Sequence, residues 1–245
     1  MTGTHRDEPL SDERTAFMRL THLVGRFVTR SLAQVRIEGL DPAVLPPTGP
    51  LIIAANHLSN ADAVLVGSWV APALGRKVYW LGKEEALRWP LVGWAMVHNG
   101  VVGIRRGAAD IEAFRIARRI LDEGHVLVIF PEGTRSRTGG LQEVKDGLAI
   151  LALRTRAPIL PIGIAGTDAF WPRGRTLPRR GGSVTMRVGR PVRLPDPGTG
   201  SDRRAAQHAA TEEIMRRIAE LLPPRHRGVY ADRVDADRAD EGSMR

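Results

Sequence analysis

The chain has 245 residues, 42% of them hydrophobic and 26% charged, with a mean hydropathy of −0.18. That length and balance give one large folded domain with short appendages and exclude global disorder. Cysteine is absent, which excludes disulfides, Cys-ligated zinc, iron–sulfur clusters and a cysteine acyl-enzyme.

The formal charge is +9 and the pI about 11.1. An anionic partner (nucleic acid, a membrane surface or a phosphorylated substrate) would account for it. So, in part, would a GC-rich coding sequence, because Arg outnumbers Lys 33 to 3. The charge is uneven: residues 154–193 hold nine arginines against the single acid Asp168. The acidic, polar start does not read as a signal peptide. No apolar run reaches the roughly 18–20 residues that span a bilayer, so a membrane role is expected to be peripheral.

In chain order, 1–12 reads as a disordered lead. Helical spacing of Phe17, Leu20, Val24, Phe27, Val28 and Leu32 predicts a helix over 13–34, with Arg19, Arg26 and Arg30 on its other side. Two readings stand for it: an ordinary surface helix packed on the core, or an interfacial helix in a headgroup layer. Strands are predicted at 35–40, 51–55, 77–81, 101–104, 125–130 and 158–164, with 183–188 alternating like an edge strand. Helices are predicted at 61–70, 83–96, 109–123, 146–154 and 203–222. A stiff loop covers 41–50, and a long Gly/Pro/Arg loop covers 165–182. The tail 224–245 reads as disordered. Alternation of strands and helices predicts an α/β fold, a central mostly parallel β-sheet flanked by helices, with function at the carboxyl ends of the strands.

Two such ends carry chemistry. After the strand at 51–55 comes Asn56-His57-Leu58-Ser59-Asn60-Ala61-Asp62. Asp62 in the first turn of a helix can fold back on His57, hold one ring nitrogen and leave the other to take a proton. Taken alone, a His and an Asp at this spacing are more often structural. No Gly-x-Ser-x-Gly nucleophile is present, so the pair would activate a hydroxyl that arrives with a substrate. After the strand at 125–130 comes Phe130-Pro131-Glu132-Gly133-Thr134-Arg135-Ser136-Arg137. Gly133 lets the backbone turn close to a ligand, and Arg135 and Arg137 suit a phosphate. Glu132 is placed to orient an arginine or a substrate hydroxyl. A solvated loop closed by a Glu–Arg pair is the competing reading.

Together the two motifs resemble the glycerolipid acyltransferase family, specifically the bacterial 1-acylglycerol-3-phosphate acyltransferases. The first block of that family, Asn-His-x4-Asp, is matched from Asn56 to Asp62. The second is matched by Gly100-Val101-Val102-Gly103-Ile104-Arg105-Arg106, and the third without change from Phe130 to Ser136. The fourth, apolar around a proline, is matched by Ala157-Pro158-Ile159-Leu160-Pro161-Ile162. Lys83-Glu84-Glu85 and Lys145-Asp146-Gly147 are smaller echoes. The blocks keep their order over about residues 50–165. One departure is Gly103, where the family has an aromatic residue; it implies a wider acceptor pocket.

The resemblance implies a glycerol-3-phosphate acyltransferase-like fold over 35–223. It also implies transfer of a fatty acyl group from acyl-CoA or acyl carrier protein to the free hydroxyl of lysophosphatidic acid. His57 would be the general base and Asp62 its orienter, with no covalent acyl-enzyme. Arg106, Glu132, Gly133, Thr134, Arg135 and, more weakly, Lys83 would bind the acceptor's phosphate and glycerol. No metal and no bound cofactor are implied. Phe170, Trp171, Arg173 and Arg175 in the loop at 166–182 suit the headgroup layer, and the alternative is a surface loop with a core-anchoring Trp. The expected location is the cytoplasmic face of the cell membrane, bound peripherally and without nucleic acid. Other lysolipid, amino-lipid or glycolipid acceptors, a hydrolase, and a non-catalytic module binding anionic lipid remain as alternatives.

Overall fold

Residues 51–55 are apolar at every position because both faces of this strand are covered. Ile52 and Ala54 pack into one core and Leu51, Ile53 and Ala55 into the other, all fully buried. Burying one such side chain contributes about 1.5–3 kcal/mol. The structure, a computed structural model, describes residues 10–104, 109–196 and 203–234. Seven strands form a single sheet: β1 (Gln34–Glu38), β2 (Leu51–Ala55), β3 (Val78–Lys83), β4 (Val101–Ile104), β5 (Val126–Ile129), β6 (Ile159–Ala165) and β7 (Ser183–Val188). Their order is β1-β7-β6-β2-β5-β3-β4. Every neighbouring pair is parallel except β6 with β7. This is the expected α/β architecture.

The helices are α1 (Ala16–Leu32), α2 (Ala61–Leu65), α3 (Ala71–Leu74), α4 (Glu84–Leu87), α5 (Val92–His98), α6 (Ala109–Asp122), α7 (Gly147–Thr155), α8 (Thr167–Phe170) and α9 (Arg203–Glu220). α6, α7 and α9 cover one face of the sheet, and α2, α3 and the π-type turn at Val66–Val70 cover the other. The single helix expected at 83–96 is two, broken at Pro90.

Four expectations need correction. β7 is internal, between β1 and β6. Its alternation reports one covered face, with Val184, Met186 and Val188 buried, and says nothing of pairing at its edges. The lead is ordered from Leu10: Asp12 pairs with Arg76 and His125 at 2.8 Å each, and Ser11 N–H donates to the Tyr79 hydroxyl at 2.8 Å. The tail is ordered to Val234, with His226, Arg227, Tyr230 and Val234 buried. Its described residues add no strand, and its apolar residues are too few and irregular to reveal packing. Main-chain hydrogen bonds from Leu141 to His226 and from Val229 to Leu141 tie it to the segment after the third block. Finally, α1 does not pack as an ordinary surface helix. Arg26 and Arg30 lie over the Trp69 ring, while Leu20, Leu23, Val24, Phe27 and Val28 are exposed, Phe27 by 70%.

Among the described residues, no helix is long and apolar enough to cross a membrane.

Candidate active site

β2 and β5 are adjacent and parallel, with Ala54 opposite Ile129, so the loops after them emerge side by side at the sheet's carboxyl edge. Asn56 fixes the first loop. Its side chain donates to the Ile164 carbonyl (2.9 Å) and accepts from the Ile164 N–H (2.7 Å), extending the β2–β6 pairing by one step after the strand has ended. His57 follows. Its Nδ1 lies 2.9 Å from Asp62 Oδ2, and its ring stacks on Phe130 with centroids 4.0 Å apart.

Asp62 is fully buried, and donors surround it. Oδ2 accepts from the main-chain N–H groups of Leu58 and Ser59, both at 2.7 Å, and Oδ1 accepts from the Thr167 hydroxyl at 2.6 Å. The two main-chain N–H groups can only donate, so Asp62 acts as acceptor and His57 Nδ1 carries its proton. That tautomer leaves Nε2 with a lone pair. A buried carboxylate is tolerated because it is fully hydrogen-bonded. The short loop between His57 and Asp62 bends so that two amides, the ring and the acid converge.

The loop after β5 is built differently. Both carboxyl oxygens of Glu132 are buried and, among the described residues, have no hydrogen-bond partner. Burial, reinforced by the charge of Asp62, pushes this carboxyl up to about 8. The main-chain N–H of His57 pulls the other way without reaching hydrogen-bond geometry. Among the described residues no Glu–Arg pair closes the loop. Gly133 turns it at φ +64, a backbone conformation that favours glycine. Thr134 and Arg137 are exposed and Arg135 is half-buried; neither arginine pairs with a carboxylate among the described residues. The Ser136 N–H donates to the His57 carbonyl at 2.7 Å and ties the two loops together.

Lys83 ends β3 and stands exposed at the same edge, opposite Ile104 of β4. Arg106 falls two positions beyond β4 and lies outside the described residues. Gly103 does not open a wider pocket. A side chain there would meet Leu87 Cδ1 at 2.9 Å, so α4 already fills the space. In the loop at 166–182, Phe170 is 4% exposed and belongs to the core, which removes it from any surface contact. Trp171 is half-buried, as the anchoring alternative expects, and Arg173 and Arg175 are exposed. Thr167 escaped notice in the sequence because it lies 105 residues from Asp62 and in no catalytic spacing. Ser59 was missed too: its hydroxyl donates to the Trp171 carbonyl at 2.7 Å and binds α8 to the dyad loop a second time. An apolar groove of about 350 Å³ lies beside them, lined by Leu20, Val24, Val28, Ala61, Val64 and Trp171.

An imidazole with a free nitrogen, oriented by a buried acid, beside a loop that carries Arg135 and Arg137 at the carboxyl edge of a parallel sheet, is equipped to deprotonate a hydroxyl on an anionic substrate. The family model described as Acyltransferase matches residues 34–165, more than half of the chain, and the chain belongs to that family. Among individual proteins, it is similar to the 1-acyl-sn-glycerophosphate (LPA) acyltransferase PlsC from Thermotoga maritima. The two share 28% identity and a TM-score of 0.63, covering 83% of this chain and 79% of that one. It is 31% identical to a 1-acyl-sn-glycerol-3-phosphate acyltransferase from Cocos nucifera over 71% of this chain and 55% of the relative. It is 32% identical to a lyso-ornithine lipid O-acyltransferase from Pseudomonas aeruginosa over 74% of this chain and 70% of the relative. The chain thus spans about half the length of the coconut protein.

Proposed function

We propose that the protein transfers a fatty acyl group from acyl-CoA or acyl carrier protein to the free hydroxyl of lysophosphatidic acid, giving phosphatidic acid. His57 Nε2 removes the hydroxyl proton as the oxygen attacks the thioester carbonyl. Asp62 holds the ring and stabilises the imidazolium, which then protonates the departing thiolate. Positioned proton transfer of this kind contributes roughly 10²–10⁴-fold. No acyl-enzyme forms. Arg135, with Arg106 and Lys83, receives the acceptor phosphate by charge-assisted hydrogen bonds. Glu132, protonated near neutral pH, offers a hydrogen bond to the glycerol part, with Gly133 and Thr134 keeping the backbone close. The apolar groove beside Asp62 suits an acyl chain. The exposed apolar side of α1, with Arg173 and Arg175, rests on an anionic membrane surface, the cytoplasmic leaflet. In this reading 13–34 is a membrane-surface segment and 35–223 the acyltransferase domain.

The observation that carries this reading is the His57–Asp62 contact beside the arginines of the third block. The second reading, an amino-lipid or other lysolipid acceptor, is favoured by the similarity to the lyso-ornithine lipid enzyme. A panel of acceptors with labelled acyl-CoA and acyl carrier protein separates the two. Transfer to lysophosphatidic acid above all others is expected; preference for a phosphate-free acceptor selects the second reading, and no transfer to any lysolipid overturns both.

A further inference from the structure

The stretch from the end of α4 into the first turn of α5 exposes four large apolar side chains in six residues: Trp89 (63%), Leu91 (82%), Val92 (52%) and Trp94 (53%). A surface patch of this kind needs a reason, because a loop built only to join two helices would carry polar residues. Its backbone is also unusual. The Val92 N–H donates to the Pro90 carbonyl at 2.6 Å, closing a three-residue γ-turn with Leu91 at φ 62 and ψ −52. That turn is rare and strained for a residue with a side chain. The strain is held by neighbours: Gly93 N–H donates to the Trp89 carbonyl and Ala95 N–H to the Leu91 carbonyl, both at 2.8 Å. Gly93 also presses so closely on α4 that a Cβ there would lie 2.0 Å from the Leu87 carbonyl oxygen. The fold therefore spends strain on a rigid tip that points a leucine into solvent, flanked by two tryptophans.

We propose that the turn from Trp89 to Trp94 is a bilayer-inserting element, docking the acceptor side of the site against the lipid headgroups. This rests on the reading of the acceptor as a membrane lipid. Three observations favour a bilayer as occupant. The turn is continuous with α1, since the Trp94 ring meets Phe17 edge-on with centroids 4.8 Å apart, and α1 itself exposes Leu23 and Phe27. The helix contributes the exposed Arg19 and Arg30 with no acidic residue from Ala16 to Leu32, the polar chemistry of an anionic headgroup layer. Paired tryptophans around an aliphatic tip match the interface between headgroups and hydrocarbon. The position serves the chemistry as well: α4 begins directly after Lys83, at the edge of the sheet that carries His57. An enzyme whose acceptor is anchored in a bilayer gains from a rigid wedge there, because the polar head can then enter without the lipid leaving the membrane.

The test compares the full chain with Trp89→Asp/Leu91→Asp in sedimentation with vesicles of phosphatidylcholine and phosphatidylglycerol. The double variant is expected to lose at least tenfold in partitioning, yet to transfer acyl groups to a short-chain, freely dissolved acceptor within twofold of wild type. Leu91→Gly, which releases the strained φ and removes the tip, is expected to melt no lower than wild type and still to bind vesicles more weakly. Bromine on the upper acyl carbons should quench wild-type tryptophan fluorescence, and Trp89→Phe/Trp94→Phe should abolish that quenching. Wild-type partitioning of the two tip variants, or unchanged quenching, overturns the proposal. So does a double variant that only converts a dimer to a monomer in the absence of lipid, since the face would then serve a second copy of the chain. Absence of transfer to the soluble acceptor in wild type as well contradicts the acyltransferase reading and leaves the vesicle result standing.

Discussion

The loop after β2 satisfies the polar side chains it buries, whereas the loop after β5 buries a carboxyl with no hydrogen-bond partner among the described residues. Asp62 holds four donors, and Asn56 and Ser59 are both hydrogen-bonded. Eight residues of the other loop, Phe130 to Arg137, carry Glu132 and two arginines that have no such partner among the described residues. In the proposed reading the difference separates two tasks. A proton-transfer pair must be in place before the substrate arrives, because reorganisation at the moment of reaction raises the barrier. A binding loop keeps its hydrogen-bonding capacity for the ligand, at some expense to stability.

The largest effect that can break this contrast is at Asp62. Asp62→Ala leaves the amides of Leu58 and Ser59 and the Thr167 hydroxyl buried without an acceptor, at about 1–3 kcal/mol each. A fall in stability of several kcal/mol in urea unfolding is expected, together with loss of transfer. A variant as stable as wild type would show that the loop is not organised around this carboxylate. Next comes Thr167, a positioning residue that acts through Asp62. Thr167→Val should lower kcat roughly ten- to a hundredfold with KM nearly unchanged, since losing one hydrogen bond to a charged group costs about 1.5–3 kcal/mol, and Thr167→Ser should restore most of it. Equal losses in the Val and Ser variants would mean that the methyl group matters and the hydroxyl does not.

The effect spread over the widest range of conditions concerns Glu132. Burial keeps its carboxyl protonated up to about 8, against 4.5 in its ordinary state. Between those values the folded chain holds a proton that the unfolded chain has released. The stability gained by holding Glu132 neutral is therefore greatest below about 4.5 and is lost as pH rises towards 8. The slope from one such proton is at most about 1.4 kcal/mol per pH unit. Glu132→Gln should flatten that decline in melts at pH 5, 6.5 and 8; parallel curves for the two proteins would place the carboxyl in water instead.

Much of this was legible in the chain itself. The wholly apolar strands, such as Leu51–Ala55, announce burial on both faces, and the blocks at Asn56–Asp62 and Phe130–Ser136 fall at strand ends, where a parallel sheet places its chemistry. What escaped depends on tertiary packing. Thr167 reaches Asp62 only because β6 lies beside β2. The tail to Val234 packs through a few scattered residues, Tyr230 among them, that make no period. The inverted packing of α1 is invisible to a periodicity that cannot say which face meets the protein. The Gly103 position shows the opposite error: the missing side chain reads as space, and Leu87 fills it.

The central claim, that His57 is the base for acyl transfer, is tested most directly by His57→Ala assayed with labelled acyl-CoA and lysophosphatidic acid. Transfer should fall by roughly 10²–10⁴-fold, while the melting temperature and partitioning to anionic vesicles stay close to wild type. Transfer at the wild-type rate would contradict the account.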